Sequence, residues 1–339
     1  MMQSEKSKIS DVDRIAILDK QWTAPDGFNR PSTVRTDGTK QRRKCLGQQH
    51  IEGICSCLSI QLQSKECFLE GTIQDVRTRI EIDFVELRGP AFETWNKREV
   101  TAYLVHAGLA EAVCFPASGA PVPPTEAFYK KALVLAPGSF EHTDSAHAEI
   151  HERMLAAGIQ QLRGELGEKK LTPAGFFCLS ASPLIADSPA PAIPDLLKRI
   201  DTLGARGGDV LLFRQWELYA MTDLVNRYTK EHVRFILGLS LLIRVFEGRY
   251  SKLDGRLLEA LSRLFAQNVR IYSYPMKAAD FADAVRAISG THWEWNERNG
   301  WVSAADLRVA PPLGHLFDYV LDSKFLIPIQ AGLAATADA

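Results

Sequence analysis

The sequence predicts an α/β fold in which a mostly parallel sheet is flanked by helices, and three observations lead there. Short apolar runs alternate with longer segments of helical periodicity along most of the chain. Alternation of that kind implies parallel strands, because each crossover helix must return over a face of the sheet. Candidate strands such as DVLLF at 209–213 are almost continuously apolar, which suits strands buried on both faces. The whole is a Rossmann-like expectation.

Taken in chain order, the first forty or so residues mix Ser, Lys, Asp, Thr and Gly without a sustained apolar period and end in the basic run Arg35 to Lys44. They read as a flexible arm, 1–40. A first α/β half, 41–180, follows with expected strands at Arg79–Leu87, Ala112–Phe115 and Ala132–Leu135, and helices at Arg98–Ala110 and Ser145–Glu165. Pro116 to Pro124 and Ala181 to Pro194 are dense in proline, which opposes helix interiors and central strands, so both read as connections.

The second half, 195–329, is expected to hold strands at Asp209–Phe213, Val233–Leu237 and Val269–Tyr274, with helices at Trp216–Tyr228 and Leu253–Phe265. Within Thr291 to Val302, Asn299-Gly300 between large residues signals a hairpin, and Trp293 and Trp295 are read as packing it onto the body. A helix and short strand over His315 to Ile329 close the fold, and an Ala-rich tail, 330–339, is expected to fray.

Composition excludes several function classes. With 46% hydrophobic and 24% charged residues the chain is close to the globular average. Forty Lys+Arg against 41 Asp+Glu leave no whole-chain basic field, so nucleic acid is not the expected partner. No apolar run approaches the roughly 20 residues that cross a bilayer. Met1 to Lys20 is charged throughout and lacks a signal peptide's apolar stretch, so no membrane association and a cytoplasmic location are expected.

Six cysteines, Cys45, Cys55, Cys57, Cys67, Cys114 and Cys178, are too few for a disulfide scaffold in a chain of 339 residues. Four of them follow C-x9-C-x-C-x9-C, but Cys55 and Cys57 would point to opposite faces of a strand and not converge on one zinc ion. All six read as small buried residues.

The segment richest in chemistry is Lys130 to Met154, KKALVLAPGSFEHTDSAHAEIHERM: a strand, a Pro137-Gly138 turn, and a helix starting near Thr143 to Ser145. In open α/β sheets ligands sit beyond the carboxyl ends of strands, where helix N-termini present unpaired N–H groups to phosphate. On the first reading, Gly138, Ser139, His142 and Thr143 bind a phosphorylated ligand and His147 assists catalysis. On the second, His147 and His151, one helical turn apart, hold a divalent metal with Glu141 and Asp144. On the third, Asp144 is an N-cap, Glu141 and His142 are loop surface, and both helix histidines are ordinary.

Elsewhere, Gly204, Gly207 and Gly208 precede a strand and form a helix-to-strand turn, not a dinucleotide loop. Asp83 and Asp223 are isolated carboxylates, and Arg227, Tyr228, Thr229 and Lys230 read as a helix cap.

GSFEHTDSAH resembles the nucleotidylyltransferase signature, in which a strand runs into Gly-Ser-Phe and His-x-Gly-His opens a helix. The resemblance puts that family's second histidine on His147, its first on Asp144 and its glycine on Ala146. More broadly, RIEIDFVELRGPAFETWNKRE, FYKKALVLAPGSF, VNRYTKEHVRFILGLSLLIRVFEGRY, LDGRLLEALSRLF and VRIYSYPM resemble a bacterial family of soluble proteins. Its members carry the names nicotinate- or nicotinamide-nucleotide adenylyltransferase or, mistakenly, TonB-dependent receptor, and the similarity runs from about Gln41 to Ile329.

The chain departs from that family at Pro137 to His142, Phe213-Arg214 and Asp254-Gly255-Arg256, where members carry Arg-Gly-Ser-Phe-Arg-Pro, Ser-Asn and Glu-Gly-Gly. The resemblance therefore implies a shortened, divergent member. Nucleotide or phosphorylated-metabolite binding, with nucleotidyl transfer as its chemistry, is the leading expectation. A non-catalytic regulatory or assembly protein acting through a protein partner is the alternative.

Overall fold

The computed structural model describes the backbone of Arg14–Leu18 and Phe84–Arg88, and residues 96–141, 145–168, 171–182 and 190–329. The chain divides into two compact units, Met1–Val113 and Cys114–Ala339. In the first, β1 (Arg14–Leu18) pairs antiparallel with β2 (Phe84–Arg88), Arg14 opposite Arg88. The strand β1 falls inside the stretch read from sequence as an N-terminal arm. Helix α1 (Lys97–His106) starts at Asn96, whose side chain accepts hydrogen bonds from the N–H groups of Arg98 and Glu99.

The second unit carries the α/β architecture. After β3 (Ala112–Phe115), which crosses the division between units, come α2 (Pro124–Phe128), β4 (Ala132–Pro137), α3 (Ser145–Leu166), β5 (Pro173–Ser180) and α4 (Ile193–Ala205). Then follow β6 (Val210–Phe213), α5 (Leu218–Tyr228), β7 (Val233–Gly238), α6 (Leu239–Glu247), α7 (Arg256–Leu264) and β8 (Val269–Tyr274). The chain continues through β9 (Met276–Lys277), α8 (Ala278–Ile288), β10 (Trp293–Trp295), β11 (Trp301–Val302), β12 (Leu307–Val309), α9 (Leu313–Asp322) and β13 (Leu326–Pro328).

The main sheet has the order β13-β8-β7-β4-β5-β6-β3. Its β13/β8, β8/β7, β7/β4, β4/β5 and β5/β6 pairs are all parallel. From β4 the chain steps outward through β5 to β6, returns to lay β7 on the other side of β4, and steps outward again through β8 to β13. That is the doubly wound, Rossmann-like order, with its switch point between β4 and β7.

Burial explains the strand composition. Leu133, Val134 and Leu135 of β4 and Phe235, Ile236 and Leu237 of β7 are all fully buried, as a sheet covered on both faces requires. On one face, α3 lies close because two positions lack a side chain: a Cβ at Gly158 would stand 2.8 Å from Val134, and one at Gly175 2.6 Å from Ile159. Helix α4 lies beside α3, where Arg206 bonds Glu152. On the other face Phe128 of α2 meets Phe176 edge-on at 5.8 Å.

A charged network ties α3 to both strands on one side of the switch point. Arg234 of β7 is 3% exposed and donates from Nε and Nη2 to Glu165 Oε2 at 3.0 and 2.7 Å, while Nη1 reaches the carbonyls of Val233 and Asn268. The hydroxyl of fully buried Tyr272 in β8 donates to Glu165 Oε1 at 2.7 Å. Burial and this carboxylate push the Tyr272 phenol far above its ordinary range.

Several sequence expectations resolve locally. Gly207, at φ 82°, ends α4: its N–H bonds the Gly204 carbonyl and that of Gly208 the Leu203 carbonyl, the paired bonds of a Schellman turn. Asn299 and Gly300 both have positive φ, 52° and 76°, and the Arg298 and Trp301 backbones bond across them. The strands around that turn pair elsewhere, β10 with β12 and β11 with β9. Trp293 is buried, donating to Glu247 Oε1 at 2.6 Å, and Trp295 meets Phe281 edge-on, so both tryptophans do pack. Among the described residues no helix is long and apolar enough to cross a membrane.

Candidate functional site

The strand order puts the carboxyl ends of β4 and β7 at the switch point. One end runs into Gly138-Ser139-Phe140-Glu141, the other into Gly238 and directly into α6. Gly138 extends the β4 edge, its N–H donating to the Cys178 carbonyl at 3.1 Å. Phe140 turns back with φ 50° and is 3% exposed, its ring edge-on to His151 at 4.8 Å and to Phe177 at 5.5 Å. That ring lies over Gly138, where a Cβ would come within 3.0 Å of it, so glycine is what this turn accommodates. A non-glycine residue held at positive φ by packing on both sides is a form of backbone strain often found at functional sites.

Ser139 is half-buried, and its carbonyl accepts from Arg199 Nη1 of α4 at 2.7 Å. The same nitrogen stands 3.7 Å from Glu141 Oε1. Residues His142, Thr143 and Asp144 lie outside the described residues. Helix α3 is present from Ser145, and His147 projects exposed from its first turn. His151, one turn on, is half-buried, and burial, aided by His147, holds its imidazole below the ordinary histidine range.

Among the described residues no three His, Cys, Asp or Glu side chains group as a metal site. Glu141 is directed to Arg199 and the His151 ring to Phe140. The other two ligands suggested by sequence are His147, which is described, and Asp144, which is not. Cys45, Cys55, Cys57 and Cys67 also lie outside the described residues. Cys114 and Cys178 are free and buried. Burial, reinforced by Asp209, pushes the Cys114 thiol up to about 12, and burial raises that of Cys178 well above its ordinary range, so neither is a nucleophile at neutral pH.

The weaker sequence candidates are structural. Asp223 pairs with Arg263 of α7, and Lys230 Nζ donates to the Asn226 carbonyl at 2.9 Å, capping α5. Asp83 lies outside the described residues.

Sequence reasoning missed two cations and a phenol. Arg199 belongs to α4, a helix that the sequence reading implied by the turn at Gly204 to Gly208 but gave no range. Arg153 of α3 opposes the upward push that burial gives the phenol of Tyr274, at the carboxyl end of β8. No local signal marks any of the three, since each is brought to the edge by a different element. No family model, curated protein or solved structure matches this chain.

Proposed function

We propose that the carboxyl edge of the sheet at the β4–β7 switch point binds a nucleotide or another phosphorylated metabolite. Gly138, Ser139, His142 and Thr143 contact its phosphate, together with the N–H groups that open α3. The observation that carries the reading is the strand order, which makes the turn after β4 the position where doubly wound sheets take ligands. A glycine under a folded-back ring, an exposed histidine in the first helical turn and a nearby guanidinium support it. In nucleotidyl transfer His147 would stabilise charge developing on the phosphate.

The same comparison argues against a dinucleotide. This turn has one glycine where dinucleotide folds carry three, and β5 ends at Ser180, in place of the carboxylate that would bond a ribose hydroxyl. A mononucleotide or a simple phosphate ester is the better match.

The test is a thermal-shift screen with ATP, ADP, nicotinate and nicotinamide mononucleotides, Mg²⁺ and Mn²⁺. A ligand at a hundred times its Kd stabilises by about 2.7 kcal/mol, a shift of roughly 4 °C for a protein of this size. A phosphate-dependent shift is the expected result, with affinity about ten-fold or more weaker in His147→Ala, which about halves the shift. No shift with any of these compounds refutes the reading in favour of a protein partner, and a shift with metal alone refutes it in favour of a metal site at His147 and His151.

A further inference from the structure

Resting on that phosphate-binding reading, we infer that Arg199 is the side chain that holds the ligand's anionic group. Glu141 occupies its guanidinium until the ligand arrives. Arg199 reaches the switch-point turn from α4, sixty residues further along the chain. Its side chain is 18% exposed, so most of it is covered and its guanidinium is held at the turn. Both of its contacts use one nitrogen: Nη1 donates to the Ser139 carbonyl at 2.7 Å and lies 3.7 Å from Glu141 Oε1. Among the described residues Nε and Nη2 have no hydrogen-bond partner.

Arg234, the buried structural arginine, provides the contrast. There Nε, Nη1 and Nη2 all donate to protein oxygens. Among the described residues Arg199 is anchored by one arm and leaves an adjacent pair of donors unused, the geometry that recognises a phosphate bidentately. At 3.7 Å the Glu141 contact is an ion pair without a hydrogen bond, and Glu141 is 59% exposed, so displacing it into water costs little. A phosphate carries more charge than the carboxylate it replaces and accepts from both free arms.

The experiment measures ADP and adenosine affinity by calorimetry in Arg199→Gln, Glu141→Gln and Arg206→Gln, the last a control on the same helix whose partner is Glu152. Arg199→Gln is expected to weaken ADP at least about ten-fold and leave adenosine unchanged. Glu141→Gln should tighten ADP by about three-fold, because a competing anion is gone. Arg206→Gln should alter neither.

ADP affinity unchanged in either of the first two variants, while the wild type binds ADP, overturns the assignment of Arg199 and leaves the phosphate-binding reading standing. Should Arg199→Gln fail to fold, Glu141→Gln decides alone. ADP binding absent from the wild type and from Glu141→Gln overturns both. A loss in Arg199→Gln that extends equally to adenosine also overturns it, since the residue would then shape the turn instead of holding the anion.

Discussion

Removing the Glu165 side chain should cost about 3 kcal/mol. Glu165→Ala deletes three hydrogen bonds at once, two from Arg234 and one from Tyr272. It leaves a guanidinium that is 3% exposed with only backbone carbonyls as partners, and a fully buried phenol with none from this carboxylate. Breaking one side of a buried ion pair typically costs about 3–5 kcal/mol. The lower end applies here, because Glu165 is 24% exposed and water can enter where it stood. Tyr272→Phe alone removes one charge-assisted bond and should cost about 1.5 kcal/mol.

Since both changes act on one carboxylate, the double variant should cost less than their sum, by about 1 kcal/mol. Urea unfolding followed by circular dichroism measures all three, with an accompanying melting-temperature drop of roughly 4 °C for Glu165→Ala. A cost below about 1 kcal/mol, or strict additivity, would show that the network does not hold α3 to β7 and β8. The point bears on function because α3 carries His147 at its other end.

Two further outcomes follow from the burial of His151 and of the two cysteines. His151 has its pKa lowered in the folded state, so the unfolded chain binds more protons as pH falls below the ordinary histidine value of about 6.5, and stability present above that value is lost beneath it. In His151→Phe, whose ring can pack on Phe140, the fall in urea midpoint between pH 7.5 and 5.5 should be smaller than in wild type; parallel declines would refute a buried neutral His151. Cys114 and Cys178 should resist iodoacetamide at pH 7.5 in the native protein and react once it is unfolded, as read by peptide mass mapping. Native labelling at either site would contradict their burial.

Much of the sheet was legible because its strands are buried on both faces and read as apolar runs. The ranges of β3 and β8 match the sequence reading residue for residue, and β4, β6 and β7 differ by one or two residues at an end. Strand β5 was missed because it opens at Pro173, contains Gly175 and adjoins the proline-rich stretch. Helix α4 was given no range: its start, Ile193-Pro194, fell in the stretch read as a connection, and only its end was implied by the helix-to-strand turn at Gly204 to Gly208, yet Pro194 lies in its first turn, where a missing N–H breaks no intrahelical bond. Helix α6 follows β7 without a loop, so one apolar run conceals the change of period.

Asn299-Gly300 announced its turn correctly, because positive φ at both positions is a local property. Which strands pair is not local. Trp293 is held by Glu247 and Phe317, and β10 goes with β12. The candidate site divides in the same way: Gly138, Ser139 and His147 stand together in sequence, whereas Arg199 and Tyr274 belong to other elements.

The most direct test of the switch-point account is amide hydrogen exchange, read by mass spectrometry with and without saturating ADP. Binding there predicts slower exchange in the peptide covering 136–151 and in the one covering 237–242, with the rest of the sheet unchanged. Protection confined to other segments, or none at concentrations where ADP raises the melting temperature, would contradict it.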